Sequence, residues 1–152
     1  MLFRSAGLGT ASVREGGATV GALVAANPAG DVIGADGTVL AGSRAPAGVP
    51  GFPVPTPFEN TTLVVVATDA RVGKNECALL AQSAHDGLAQ AIRPAHTRYD
   101  GDFAAVLATG EVEAHPDRLR VAATSPHSIS VTLSSRCSSS PRSWISCIRS
   151  RR

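Results

Sequence analysis

The chain has no acidic residue after Asp117, and Lys74 is its only lysine. Aromatic residues make up 4% of it, with a single Trp and a single Tyr, so a core must be assembled from Val, Ala and Leu. No apolar run reaches the roughly eighteen residues of a membrane-spanning helix, and the opening MLFRSAGLGTASV lacks a continuous apolar region of signal-peptide length. That excludes a membrane partner and favours a soluble protein. The three cysteines, Cys77, Cys137 and Cys147, are an odd number without metal-ligand spacing, which argues against both a disulfide framework and a zinc site. A reducing, cytoplasmic setting is expected, with Cys77 a small buried hydrophobe on a helix.

What is present points to one α/β domain: 152 residues, 43% hydrophobic, with 15 glycines and 10 prolines to serve many turns. Ala18 to Ala26, ATVGALVAA, is small and apolar throughout and predicts a strand buried on both faces, closed by the turn NPAGD. Val32-Ile33 and Thr38-Val39-Leu40 flank GADG as a short hairpin. Residues 41 to 60 form a Pro- and Gly-rich linker, expected to be extended, exposed and accessible. Thr62 to Thr68 is a β-branched strand, and Gly73 to Ile92 a helix with Cys77, Leu80, Ala81, Ala84, Leu88 and Ile92 on one face. Glu76 is placed to bond the helix start and Pro94 to stop the helix. After the polar turn HTRYDGD, residues 103 to 109 form the next strand. Strand, helix, strand in this order implies a layered sheet with helices outside.

Composition changes after Val121. Of the 31 residues from Ala122 to Arg152, eleven are Ser, five are Arg and none is acidic. This reads as an aberrant or disordered Ser/Arg-rich tail; because the excess of basic over acidic residues is confined to it, nucleic acid is disfavoured as a partner.

One junction could carry chemistry. Asn60-Thr61-Thr62 stands between the linker and a strand. Such residues start turns and strands, and Asn-Thr-Thr also fits a glycosylation acceptor. The alternative is a chain cut between Asn60 and Thr61, which would free an α-amine to act as base for the Thr61 hydroxyl. The same hydroxyl would make the cut by attacking the Asn60 carbonyl. Asp100 and Asp102, one residue apart, face one side of an extended backbone and either point into a cleft beside Thr61 or lie in a solvated turn. Asn27, at the end of the Ala18–Ala26 strand, either donates its amide to an oxyanion or turns the corner. His85 and His96 are further acid–base candidates, His85 reading more as a packing residue; no Ser-His-Asp or zinc spacing emerges from them.

In order along the chain, GLGTASV, VGALVAANPAGDVIG, NTTLVVVATDA, CALLAQSAHDGLAQAIRPAHTRYDGD and ATGEVE resemble the self-processing aminopeptidase family of DmpA, the β-peptidyl aminopeptidases and the nylon-oligomer hydrolase NylC. The resemblance covers roughly residues 7 to 123. It implies a layered αββα sandwich, here partial and incomplete at both ends. Residues 1–60 would be the end of a larger-subunit region, 61–121 the start of a smaller subunit headed by its nucleophile, and 122–152 the tail. The self-cleavage site falls on Asn60 and Thr61, the nucleophile on Thr61, the oxyanion asparagine on Asn27 and the paired acidic positions on Asp100 and Asp102. The family's catalytic lysine has no counterpart, Arg4 or a gap standing in its place. The implied activity is hydrolysis of a peptide or linear amide, without metal or cofactor, in a homo-oligomer like the family's. The competing reading is an inactive remnant that keeps these residues idle.

Overall fold

Two glycines make the first hairpin. β1 (Gly7–Glu15) and β2 (Ala18–Ala26) pair antiparallel with Glu15 opposite Ala18, leaving Gly16 and Gly17 as the loop. Their φ values of 59° and 90° are the left-handed pair a two-residue hairpin requires, which glycine adopts without strain. The computed structural model describes residues 7–42 and 60–124. Most of the linker, Arg4, Cys137, Cys147 and the tail beyond Thr124 lie outside the described residues.

β2 pairs antiparallel with β5 (Leu63–Ala70), and β5 pairs parallel with β7 (Phe103–Val112), giving the order β1-β2-β5-β7. A parallel pair needs a crossover, which α1 (Lys74–Ala91) supplies. A smaller sheet joins β4 (Val39–Ala41), β3 (Asp31–Ile33) and β6 (Ile92–Arg93) in that order. α2 (Pro116–Thr124) follows β7 and packs with α1 on one face of the larger sheet. The result is an α/β layered arrangement with one mixed sheet and one antiparallel sheet. Among the described residues no helix is long and apolar enough to cross a membrane.

The core lies between that face and the helices. Val20, Val24, Val64 and Val66 from the sheet meet Leu80, Ala84, Leu88, Leu119 and Ala123 from the helices. Alternation places every second strand residue there. The expectation that β2 is buried on both faces is therefore corrected: its burial alternates strictly, and Leu23 on the other face is 43% exposed. The helices cover one side only, and Leu63, Phe103 and Leu107 stand on the opposite side, Leu107 61% exposed.

Three smaller expectations also change. Gly73 caps α1 without a side-chain bond, so Glu76 serves the first turn only by its charge near the positive helix end. Cys77 is partly, not fully, buried. The compositional break after Val121 is no structural boundary, because α2 continues to Thr124 and buries Ala122 and Ala123.

Candidate active site

The ladder between β5 and β7 continues past Leu63 to the Asn60–Thr61 junction. Phe103 N–H donates to the Thr62 carbonyl and Gly101 N–H to the Asn60 carbonyl, both at 2.9 Å. Asn60 and Asp100 form a parallel bridge. Asn60 is only 2% exposed, so the linker's last residue is not the accessible one expected from composition. It is held as part of the sheet.

On the other side, the Thr61 N–H donates to the Asn27 carbonyl at 2.9 Å. The peptide joining residues 60 and 61 is thus clamped at both ends, its oxygen by β7's approach and its nitrogen by the corner after β2. Thr61 Oγ lies 2.7 Å from the Asn60 oxygen and donates to it. A hydroxyl so placed is already next to the carbonyl group it would have to attack.

The two aspartates serve this geometry from different directions. Asp100 Oδ1 accepts from Ala29 N–H at 2.9 Å, while Oδ2 accepts from the Thr97 N–H at 2.9 Å and the Thr97 hydroxyl at 2.6 Å. It ties the corner carrying Asn27 to the turn before β7. Gly30 in that corner presses so near the Pro94 carbonyl oxygen that a Cβ would overlap it. Asp102 Oδ1 accepts from Thr62 N–H at 2.9 Å, and its Oδ2 lies 2.7 Å from His96 Nδ1. The second ring nitrogen of His96 lies 3.3 Å from the His85 carbonyl oxygen, and the two imidazoles meet edge to face. In place of one cleft in which both carboxylates address Thr61, Asp100 positions Asn27's segment and Asp102 positions the backbone just after Thr61.

The structure therefore brings Asn27, Asn60, Thr61, Asp100 and Asp102 together. His85 packs against His96, as its helical position suggested, whereas His96 becomes Asp102's partner across the turn. Gly101 and Thr97 were not singled out from sequence; their contributions depend on main-chain N–H directions that no side-chain pattern announces. Thr62 Oγ1 is fully buried and without a hydrogen-bond partner. Lys74 opens α1, beyond the end of β5 remote from Thr61. Among the described residues no group of His, Cys, Asp and Glu is arranged to hold a metal ion.

Residues 3–141 match Peptidase family S58. An uncharacterized aminopeptidase of Mycobacterium leprae is 47% identical over 122 residues, 71% of this chain and 34% of the relative. The 6-aminohexanoate-oligomer endohydrolase of Paenarthrobacter ureafaciens is 31% identical over 121 residues, 70% of this chain and 34% of that enzyme. Among solved structures, the L-aminopeptidase D-Ala-esterase/amidase of Ochrobactrum anthropi, a prototype for the serine aminopeptidases and a variant of the Ntn hydrolase fold, matches with a TM-score of 0.56. It is 25% identical, over 80% of this chain and 37% of that one. The chain spans about a third of the length of these relatives.

Proposed function

Because the chain belongs to Peptidase family S58, we propose that it carries the reacting residues of an amide-bond hydrolase whose nucleophile, Thr61, is released as a new amino terminus by cleavage of the Asn60–Thr61 bond. The observation that carries this reading is the clamped peptide with the Thr61 hydroxyl 2.7 Å from the Asn60 oxygen. After the cut, the Thr61 nitrogen is an amine beside its own hydroxyl and serves as the base that takes the Oγ proton when a substrate carbonyl arrives. The Asn27 carbonyl, already 2.9 Å from that nitrogen, orients it. The Asn27 side-chain amide is the donor for the substrate oxyanion. Asp100 and Asp102 act as positioning residues through Ala29 and Thr62.

The substrate class is a peptide or linear amide. Aminopeptidase and 6-aminohexanoate-oligomer endohydrolase relatives both open such bonds by name. Self-cleavage is tested first, since it needs no substrate. Intact-mass measurement of the purified chain is expected to show pieces of 60 and 152 − 60 = 92 residues, with the larger piece beginning at Thr61. Thr61→Ala is expected to leave the chain whole and abolish hydrolysis. A chain that stays whole with Thr61 in place favours the inactive remnant, and hydrolysis surviving Thr61→Ala sinks the nucleophile assignment.

A further inference from the structure

We propose that the main-chain N–H of Gly101 is the oxyanion donor for the self-cleavage step, a role that rests on the reading of Thr61 as nucleophile. When Thr61 Oγ bonds to the Asn60 carbonyl carbon, the π electrons of that carbonyl move onto its oxygen. The Gly101 N–H already points at this oxygen from 2.9 Å. Collapse of the adduct breaks the bond from the Asn60 carbon to the Thr61 nitrogen. The proton lost by Oγ ends on that nitrogen, and an ester joins Asn60 to Thr61 Oγ. Water then opens the ester, giving the Asn60 carboxylate and restoring the Thr61 hydroxyl.

Two features make this N–H more than the last rung of a ladder. Asn60 is 2% exposed, and a fixed donor in a water-poor place stabilises developing charge more than one in water does. A side chain at residue 101 would also crowd the reacting hydroxyl, because a Cβ there would stand 3.0 Å from Thr61 Oγ and 3.8 Å from the Asn60 oxygen. Glycine brings its N–H to the carbonyl while leaving the hydroxyl its path. The donor is separate from the Asn27 amide assigned to the substrate: one serves the step that makes the nucleophile, the other the steps that use it.

The test replaces a single atom. A full-length chain is assembled by joining an expressed thioester of residues 1–76 to a synthetic segment beginning at Cys77, with glycolic acid in place of Gly101 so that the N–H becomes an ester oxygen. Self-cleavage, followed by intact mass, is expected to slow on the order of a hundredfold relative to the all-amide chain assembled the same way. Melting is compared for both in a Thr61→Ala background, where neither is cut; a slowed chain that melts near the parent separates catalysis from structure. Cleavage within about threefold of the parent overturns the inference while leaving Thr61 as nucleophile. A parent that is never cut overturns both. Where the ester chain does not fold, the uncut Thr61→Ala protein decides by NMR: a through-hydrogen-bond coupling between Gly101 nitrogen and Asn60 carbonyl carbon supports the donor, and its absence rejects it.

Discussion

Replacing Asp100 by Asn removes one acceptor from a carboxylate that holds three donors. Ala29 N–H occupies Oδ1, and the Thr97 N–H and hydroxyl occupy Oδ2. Asn keeps the shape but offers one oxygen, and its NH2 must face a main-chain N–H whichever way it turns. The Thr97 hydroxyl can rotate and accept from that NH2; the amides of Ala29 and Thr97 cannot. One of them is left unpaired in a half-buried place, a loss of about 1–3 kcal/mol, to which the loss of charge assistance in the remaining bonds adds. Taking about 2 kcal/mol, and about 4–8 °C per kcal/mol for a folded unit of this size, the melting temperature of Asp100→Asn should fall by roughly 10 °C. Circular dichroism in a Thr61→Ala background measures this without interference from cutting, and hydrogen exchange at the Ala29 and Thr97 amides locates it. With Thr61 restored, self-cleavage should slow as well, because the corner carrying Asn27 is no longer tied down. A fall of less than about 2 °C with both amides still protected would show that the carboxylate is not the tie described.

Thr62→Val exchanges a buried hydroxyl that has no partner for a methyl of nearly the same volume, and should stabilise the chain by about 1 kcal/mol in denaturant melts; a loss of stability would mean the hydroxyl has a partner after all. At the β3–β4 turn, the Thr38 hydroxyl and then its amide hold the Asp36 carboxyl below its ordinary value. A depressed folded value contributes stability above the unfolded value and loses it as pH falls through the folded one, so this turn should loosen only below about pH 3.9. Carboxyl NMR on Thr38→Val should find Asp36 titrating at higher pH than in the parent, and an unchanged midpoint would refute the cause given.

β2 to β5, α1 and β7 were legible because their apolar residues form short runs or recur at helical spacing; β1 was not, since GLGTASVRE mixes small and polar residues, and β6 was not, since Ile92 reads as the end of the helix. β2 misled because both of its faces are small. Ala18, Val20, Ala22, Val24 and Ala26 turn inward, yet Gly21, Leu23 and Ala25 turn outward, so hydropathy barely alternates although burial does. α2 was hidden because Asp117, Arg118 and Arg120 dilute its apolar stripe of Leu119, Ala122 and Ala123, and a change of composition falls inside it. At the site, residue types and their order brought Asn27, Thr61, Asp100 and Asp102 into view through resemblance, while local reading left each open to a turn. Which N–H each carboxylate would accept was not legible, because Asp100 reaches back 71 positions to Ala29 and Asp102 reaches back 40 to Thr62. Such partners are settled by how strand ends meet, not by neighbours in sequence.

The position of β5 between β2 and β7 bears on what a cut at Asn60 would leave behind. The piece ending at Asn60 owns β1 to β4, and the piece beginning at Thr61 owns β5, α1, β6, β7 and α2. Their shared boundary is the β2–β5 ladder with the Val-rich layer beneath it, and β6 crosses over to pair with β3. The two products would be halves of one sheet, so parting them would open the β2–β5 ladder and expose the Val-rich layer beneath it.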